Sequence, residues 1–282
     1  MIEAGFGGRA VVIFESRRAP EMASLVERHG GVALPAPAMR EVSLTENAAA
    51  LAFAAALVGG GIDAVILMTG VGTRALVEES APALDRAGFA AALARVPLVL
   101  ARGPKPAAVL RELGVAGFVT VPEPNTWREV AAAVTARRGP DLTGLRVAVQ
   151  EHGAPSEALY EALRRGGAVV TPIPVYRWAL PEDTTALRAA LHAIAEGRAR
   201  IVLFTSRAQV EHALAVAAEE GLADAVRREL RRGVVASIGP VCTEALRADG
   251  LPPDVEPEHP KMGHLVKTAA ERAASVLAAK GG

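Results

Sequence analysis

Cysteine is nearly absent from this chain. Cys242 is the single one in 282 residues, so no intramolecular disulfide can form, and nothing has the Cys/His spacing of a structural zinc site. A reducing cytosol suits that composition. Charge excess is absent too: 31 Lys and Arg balance 31 Asp and Glu, so no whole-molecule field favours nucleic acid or an anionic membrane. Any bound anion must be held by local charge. Long apolar runs are missing, since stretches such as residues 51–58 fall well short of the roughly 18 residues that suggest a membrane span. The opening MIEAGFGGRA lacks a basic start followed by an apolar run. The expectation is a soluble, unexported, cytoplasmic protein with neither nucleic acid nor membrane among its partners.

What is present is ordinary globular composition, 51% hydrophobic and 22% charged, with enough length for two domains. Short apolar runs alternate with stretches of helical period, the pattern of βα units on a buried parallel sheet. Residues 10–14 form the first strand. Residues 20–29 carry Met22, Leu25 and Val26 on one helix face and stop at Gly30-Gly31. Residues 147–149 and 155–165, ending at Gly166-Gly167, repeat this plan. Thr69 and Thr205 then stand at equivalent strand ends. Their offset of 136 in the numbering recurs between Gly103 and Gly239, Pro104 and Pro240, Gly114 and Gly250, and Pro124 and Pro260. Several landmarks in register indicate duplication and fusion. The fold class is α/β with parallel sheets, four or five strands per copy. After the first βα of each copy lies a proline-punctuated segment, residues 32–42 and 168–182, where proline disfavours helix or central strand. If the chain crosses between lobes there, 43–171 form one lobe and 1–34 join 183–282 in the other, with 35–42 and 172–182 as linker. Otherwise the boundary lies near residue 142.

Ligands of parallel α/β sheets meet the carboxyl ends of strands, where helix N-termini present amides. Those loops hold Arg17, Thr69, Gly70, Val71, Gly72, Arg74, Arg102, Gly103, Lys105, Thr205, Ser206, Gly239, Pro240, Val241 and Cys242. Amides and cations together suit a polycarboxylate. Arg17 and Arg102 are favoured because each closely follows a strand. Gly70-x-Gly72-x-x-Ala75 formally matches a dinucleotide fingerprint but lies outside the first βα turn and lacks the acidic residue about 20 positions on. Glu151 and His152 read as a solvated loop, His259 and His264 lack a third metal ligand, and Cys242 reads as a small helix-start residue. No Ser-His-Asp set, Walker loop or catalytic carboxylate pair is present. Tyr176, one of two tyrosines, falls in the second crossover segment. It serves either as a linker wedge or as a hydroxyl at the site.

The ordered set Glu15-Ser16-Arg17-Arg18, Thr69-Gly70-Val71-Gly72, Pro174-Val175-Tyr176-Arg177, Phe204-Thr205-Ser206 and Ile238-Gly239-Pro240 with Glu244-Ala245-Leu246 resembles the uroporphyrinogen-III synthase family over essentially the whole chain. The resemblance implies two lobes joined by a two-stranded crossover, the first βα unit packing with the C-terminal part. It also implies a reaction: linear hydroxymethylbilane loses water and closes to uroporphyrinogen III, with the last ring inverted through a spiro intermediate. No cofactor and no metal are expected. Tyr176, at the family's linker tyrosine, is the expected catalytic residue, and the loop residues above are the expected substrate contacts in a cleft between the lobes. Where many relatives have threonine second after Gly-Pro, this chain has Cys242. The expected state is a monomer with at most transient contact with the preceding pathway enzyme. The alternative is a non-catalytic tetrapyrrole-binding or regulatory protein, since some bacterial relatives with a similar Ser-Arg-Arg start carry a fused DNA-binding domain.

Overall fold

The computed structural model describes residues 5–44 and 47–281. In chain order it begins with β1 (Ala10–Ile13), α1 (Ala19–Arg28), β2 (Val32–Pro35) and β3 (Arg40–Ser43). Then follow α2 (Ala48–Val58), β4 (Ala64–Leu67), α3 (Gly70–Ser80), α4 (Arg86–Leu93), β5 (Leu98–Ala101) and α5 (Pro104–Glu112). The middle continues through β6 (Val119–Thr120), α6 (Trp127–Arg138), β7 (Arg146–Gln150), α7 (Glu157–Arg165), β8 (Val169–Ile173) and β9 (Tyr176–Ala179). The last third comprises α8 (Thr185–Ala195), β10 (Ile201–Phe204), α9 (Arg207–Glu219), α10 (Ala223–Arg232), β11 (Val234–Ser237), α11 (Pro240–Ala248) and α12 (Met262–Ala279).

Two compact units result: Met1–Arg40 with Ala179–Gly282, and Glu41–Trp178. The first holds a sheet of order β11-β10-β1-β2, the second one of order β6-β5-β4-β7-β8, and β3 pairs with β9. In the first unit, Val11 is registered with Ile201 in parallel, so the opening βα unit completes a sheet of C-terminal strands. A parallel bridge from Ala236 to Val255 extends that sheet beyond β11. Counted that way, the two sheets have the same strand order.

The duplication is therefore real, but its offset is not constant. Between the starts of β1 and β7 it is 136; for β2 and β8, α2 and α8, β4 and β10, and α3 and α9 it is 137; for β5 and β11 it is 136 again, while α1 and α7 (138) and β3 and β9 (136) depart by one residue at an element end. One residue is gained after the first strand of the second copy and lost before β11. The consequence corrects the pairing of Thr69 with Thr205. Thr69 caps α3 by accepting the Gly72 N–H at 3.0 Å, and Ser206 caps α9 by accepting the Gln209 N–H at 3.3 Å. Ser206, not Thr205, is the counterpart of Thr69, because the hydroxyl must sit at N-cap to reach the third amide of the helix.

Alternation explains the cores. Val12, Val202, Phe204 and Val235 pack against α8, α9, α10 and α11 residues, while Val11, Ile13, Ile201, Leu203 and Val234 pack against α1 and α12. Likewise Val65, Leu67 and Val99 face α2 to α5, and Ile66, Leu100, Val147 and Val149 face α6 and α7. β4, β5, β10 and β11 are buried at every position, as parallel strands covered on both faces must be. Each such Val, Leu or Ile contributes about 1.5–3 kcal/mol of burial. The expected proline segments turn out to hold edge strands β2 and β8. The Val32 and Ala36 N–H groups donate inward to Arg9 and Ile13 carbonyls, both at 2.9 Å, and Val169 donates to Leu145 at 2.8 Å. Period-2 alternation then turns the nitrogens of Pro35 and Pro172 away from the ladder, where no donor is needed.

Candidate active site

At the carboxyl end of β4, the Thr69 carbonyl accepts from the Thr73 amide and hydroxyl, 2.9 and 2.7 Å. Its side-chain oxygen, besides capping α3, lies 3.2 Å from the Tyr176 hydroxyl. With Gly72 N–H taken by that cap, the Gly70 and Val71 amides of the first turn have no acceptor among the described residues. They open the positive end of the helix dipole. Val71 itself is exposed. The glycines here answer to packing rather than to a phosphate. A Cβ on Gly72 would fall 2.0 Å from Gln150 Nε2, and one on Gly70 would fall 3.0 Å from the Lys105 carbonyl oxygen. That accounts for the dinucleotide-like spacing.

Gln150, at the end of β7, is fully buried. Its Oε1 accepts the Met68 N–H at 3.1 Å and the Thr69 N–H at 3.2 Å, and its Nε2 donates to the Glu151 carbonyl. It is not among the residues that the sequence singles out. The available signal is a lone amide closing an apolar strand, opposite a glycine-rich turn.

Tyr176 opens β9 and is buried, its ring edge-on to Trp178 at 5.2 Å. Trp178 Nε1 donates to the His152 carbonyl at 2.8 Å, which fixes the aromatic pair. Arg102 follows β5, and its N–H donates to the Leu67 carbonyl at 2.9 Å. Asn125, with its amide nitrogen turned toward the loop, donates to the Arg102 and Val121 carbonyls at 2.7 and 2.9 Å. Among the described residues no carboxylate pairs with the half-buried Arg102 guanidinium. Burial lowers its pKa from the ordinary value, and the neighbouring Tyr176 hydroxyl acts in the opposite sense. The result is a desolvated cation beside a phenol, a place prepared for an anion. Gly103 caps α5 in extended backbone with Pro104 at the first turn, and Lys105 next to it is exposed.

The corresponding loops of the other unit differ. The Thr205 hydroxyl donates to Glu15 at 2.6 Å and accepts from Gln209 Nε2 at 2.7 Å, while its N–H donates to Gln209 Oε1 at 2.7 Å. It is engaged on every side. Ser206, besides capping α9, donates to the Met39 sulfur at 3.3 Å. Arg17 is exposed at the turn before α1. Gly239 caps α11 in the same extended conformation as Gly103, with Pro240 at the first turn, and the Val241 and Cys242 amides have no acceptor among the described residues.

Several of the expected contact residues have other partners in the fold. Arg74 points to α5, where Glu112 takes both guanidinium nitrogens at 2.6 and 3.0 Å, an ion pair exposed at the surface. The Cys242 side chain lies in the apolar core, and burial pushes its thiol up to about 11; only its backbone N–H remains for a ligand. The adjacent Thr243 is buried, donating to Glu256 and touching the Ser237 hydroxyl at 2.9 Å. Glu151 is not a solvated loop residue: it is buried and accepts the Tyr160 hydroxyl at 2.7 Å, and burial raises its pKa. His259 and His264 pack edge to face at 5.4 Å, and among the described residues no three His, Cys, Asp or Glu are arranged to hold a metal.

Comparison with known proteins identifies the family. A family model described as uroporphyrinogen-III synthase HemD matches residues 20–267. A mutant uroporphyrinogen III synthase of Thermus thermophilus is 26% identical, with a TM-score of 0.69 over 92% of this chain and 96% of that one. The wild-type Thermus thermophilus enzyme in another crystal form is 26% identical, with a TM-score of 0.55 over 98% and 100% of the two chains. The uncharacterized protein YjjA of Bacillus subtilis (strain 168) is 29% identical over 263 residues, 93% of this chain and 95% of that protein. With the family match running through both sheets, and the same fold in solved synthases, this chain belongs to the uroporphyrinogen-III synthase family.

Proposed function

We propose that this protein is a cyclising hydro-lyase that converts linear hydroxymethylbilane to uroporphyrinogen III, inverting the last pyrrole ring through a spiro intermediate. The observation that carries the reading, beyond family membership, is the cluster at the carboxyl end of β4 and β5: the Tyr176 hydroxyl 3.2 Å from Thr69 Oγ1 and beside the Arg102 guanidinium, which has no carboxylate partner among the described residues. The substrate ionises readily to an azafulvene-type cation and closes unaided to the uninverted isomer. The protein therefore acts chiefly by imposing geometry on a reactive chain. Tyr176 donates its phenolic proton to the departing hydroxyl, which leaves as water with the C–O electron pair. The transient phenolate is stabilised by the Arg102 charge and regains a proton when the closed ring rearomatises. Arg102 and Lys105, with the Gly70 and Val71 amides, take acetate and propionate carboxylates. Arg17 and the amides of Val241 and Cys242 are candidates for the remaining ones. We place the protein in the cytosol as a monomer; among the described residues no helix is long and apolar enough to cross a membrane.

The test is the isomer ratio. Protein added to freshly made hydroxymethylbilane shifts the oxidised porphyrin product from isomer I to isomer III. An unchanged ratio with folded protein refutes the enzyme reading, and tight tetrapyrrole binding without that shift identifies a binding protein instead.

A further inference from the structure

We infer that Gln150 is a positioning residue for Tyr176, acting through Thr69; the inference rests on the reading of Tyr176 as the proton donor. Gln150 closes a strand whose preceding residues, Val147, Ala148 and Val149, are buried and apolar. Its own side chain is fully buried as well. An amide in that position must be satisfied by specific partners, and it is: two consecutive backbone N–H groups, Met68 and Thr69, donate to its single oxygen. The peptide that carries Thr69 is thereby held from below, while Gly72 leaves the space the amide needs.

Thr69 Oγ1 has one lone pair engaged by the Gly72 N–H. Either hydroxyl can donate across the 3.2 Å to Tyr176; with the Thr69 oxygen already accepting from Gly72, we take Thr69 as the donor. A phenol that accepts from Thr69 turns its own proton away from Thr69. Holding Thr69 therefore sets the direction in which Tyr176 donates.

The second copy of the unit supplies an internal control. The helix-capping hydroxyl again touches the crossover segment: Ser206, the counterpart of Thr69 at an offset of 137, donates to Met39, which falls on Tyr176 when Pro35 and Pro37 are set on Pro172 and Pro174. The contact is thus a property of the fold. What differs is the chemistry at its two ends. The position of Gln150 is occupied by Phe14, which stacks on Phe204 with ring centres 4.9 Å apart, and the position of Tyr176 is occupied by methionine, which has no proton to give. Amide and phenol occur together in one copy, and phenyl and thioether occur together in the other. Thr205 in that copy is braced by a glutamine from the helix, Gln209, and its hydroxyl is engaged by Glu15. In that copy the brace comes from the helix, and the capping hydroxyl of Ser206 is left to a side chain that has no proton to give; in the first it comes from the strand, and the capping hydroxyl of Thr69 is left to the tyrosine.

The experiment is a double-mutant cycle on the full chain with hydroxymethylbilane. Gln150→Met fills the same volume without an acceptor and is expected to lower kcat about tenfold with KM within about twofold, the pattern of an interaction made in the transition state. In the Tyr176→Phe background the same change is expected to cost less than about twofold, because the group it positions is gone. Gln150→Glu, which keeps an acceptor for both amides and serves if the methionine variant does not fold, is expected to retain at least about a third of wild-type kcat. Wild-type kcat in Gln150→Met, an equal loss in both backgrounds, or a loss in Gln150→Glu as large as in Gln150→Met would overturn the inference. If the wild-type protein itself forms no isomer III, the functional reading fails first, and the two failures are told apart by that control.

Discussion

Replacing Gly72 by alanine tests how tightly the loop after β4 is built. The new methyl carbon would lie 2.0 Å from Gln150 Nε2, 2.6 Å from its Cδ and 2.8 Å from Thr69 Oγ1, all far inside contact distance. The glutamine must swing out, which leaves the Met68 and Thr69 N–H groups without their acceptor. Two lost hydrogen bonds cost about 2 kcal/mol together, and overpacking adds about 1–3 kcal/mol. The better helix propensity of alanine returns at most about 1 kcal/mol. The net expectation is a loss of about 2–4 kcal/mol. With a urea slope of about 2 kcal/mol per M, the unfolding midpoint of the transition involving Glu41–Trp178 falls by about 1–2 M. Circular dichroism across a urea titration measures it. A midpoint within about 0.2 M of wild type refutes the reasoning, as does a second substitution, Gln150→Ala, that fails to relieve part of the Gly72→Ala penalty.

Four further outcomes follow from the same contacts. Tyr176→Phe lowers kcat by about ten- to a hundredfold without abolishing isomer III, because positioning by the backbone survives; complete loss in a folded variant contradicts the proton-donor role. Arg102→Met raises KM by about tenfold or more and leaves Tm unchanged or higher, since a half-buried cation with no carboxylate partner among the described residues is removed; a lowered Tm in a calorimetric scan contradicts that reasoning. The Asp63 carboxyl is held down to about 2, first by the Arg146 side chain and then by its N–H, against the effect of burial. A depressed carboxylate stabilises the fold above its unfolded pKa, so that contribution fades as pH drops from about 4 to about 2. The gap in urea midpoint between wild type and Asp63→Asn should close over that window, and a constant gap rejects the assignment. Cys242, with its thiol buried and pushed up to about 11, should resist a disulfide reagent at pH 8 until the protein unfolds; prompt labelling of native protein would show the core to be open there.

Much of the fold lay open in the sequence because it depends on local and periodic signals. The all-apolar strands, the Gly-Pro pairs before α5 and α11 and the repeated glycine stops report their own secondary structure without reference to anything distant. What escaped depends on contacts between remote segments. Nothing near Arg74 indicates that Glu112, 38 residues on, neutralises it. The phase of α11 decides that Cys242 and Thr243 face inward, and that phase is set by packing on β11 rather than by the Gly-Pro start. The shift in offset from 136 to 137 is invisible when Thr69 is matched to Thr205 by letter, since both are threonines; it becomes legible only when the cap geometry picks out Ser206. Gln150 was hidden for a related reason: a polar residue at a strand end reads as the start of a loop until its two amide donors, 81 and 82 residues earlier, are seen.

Pro35 and Pro172, described above as edge-strand residues whose nitrogens face away from the ladder, have a consequence for how copies of this protein meet. An exposed strand edge is a template on which another chain can add a strand, and that is the usual route to runaway association of sheet proteins. Each sheet here ends on a strand in which one outward donor has been replaced by a pyrrolidine ring. An incoming strand would find a gap in its hydrogen-bonding row and a ring in its path. Substituting both prolines by valine, with no change to the core, should leave the enzyme folded yet prone to fibrillar or amorphous aggregation at high concentration.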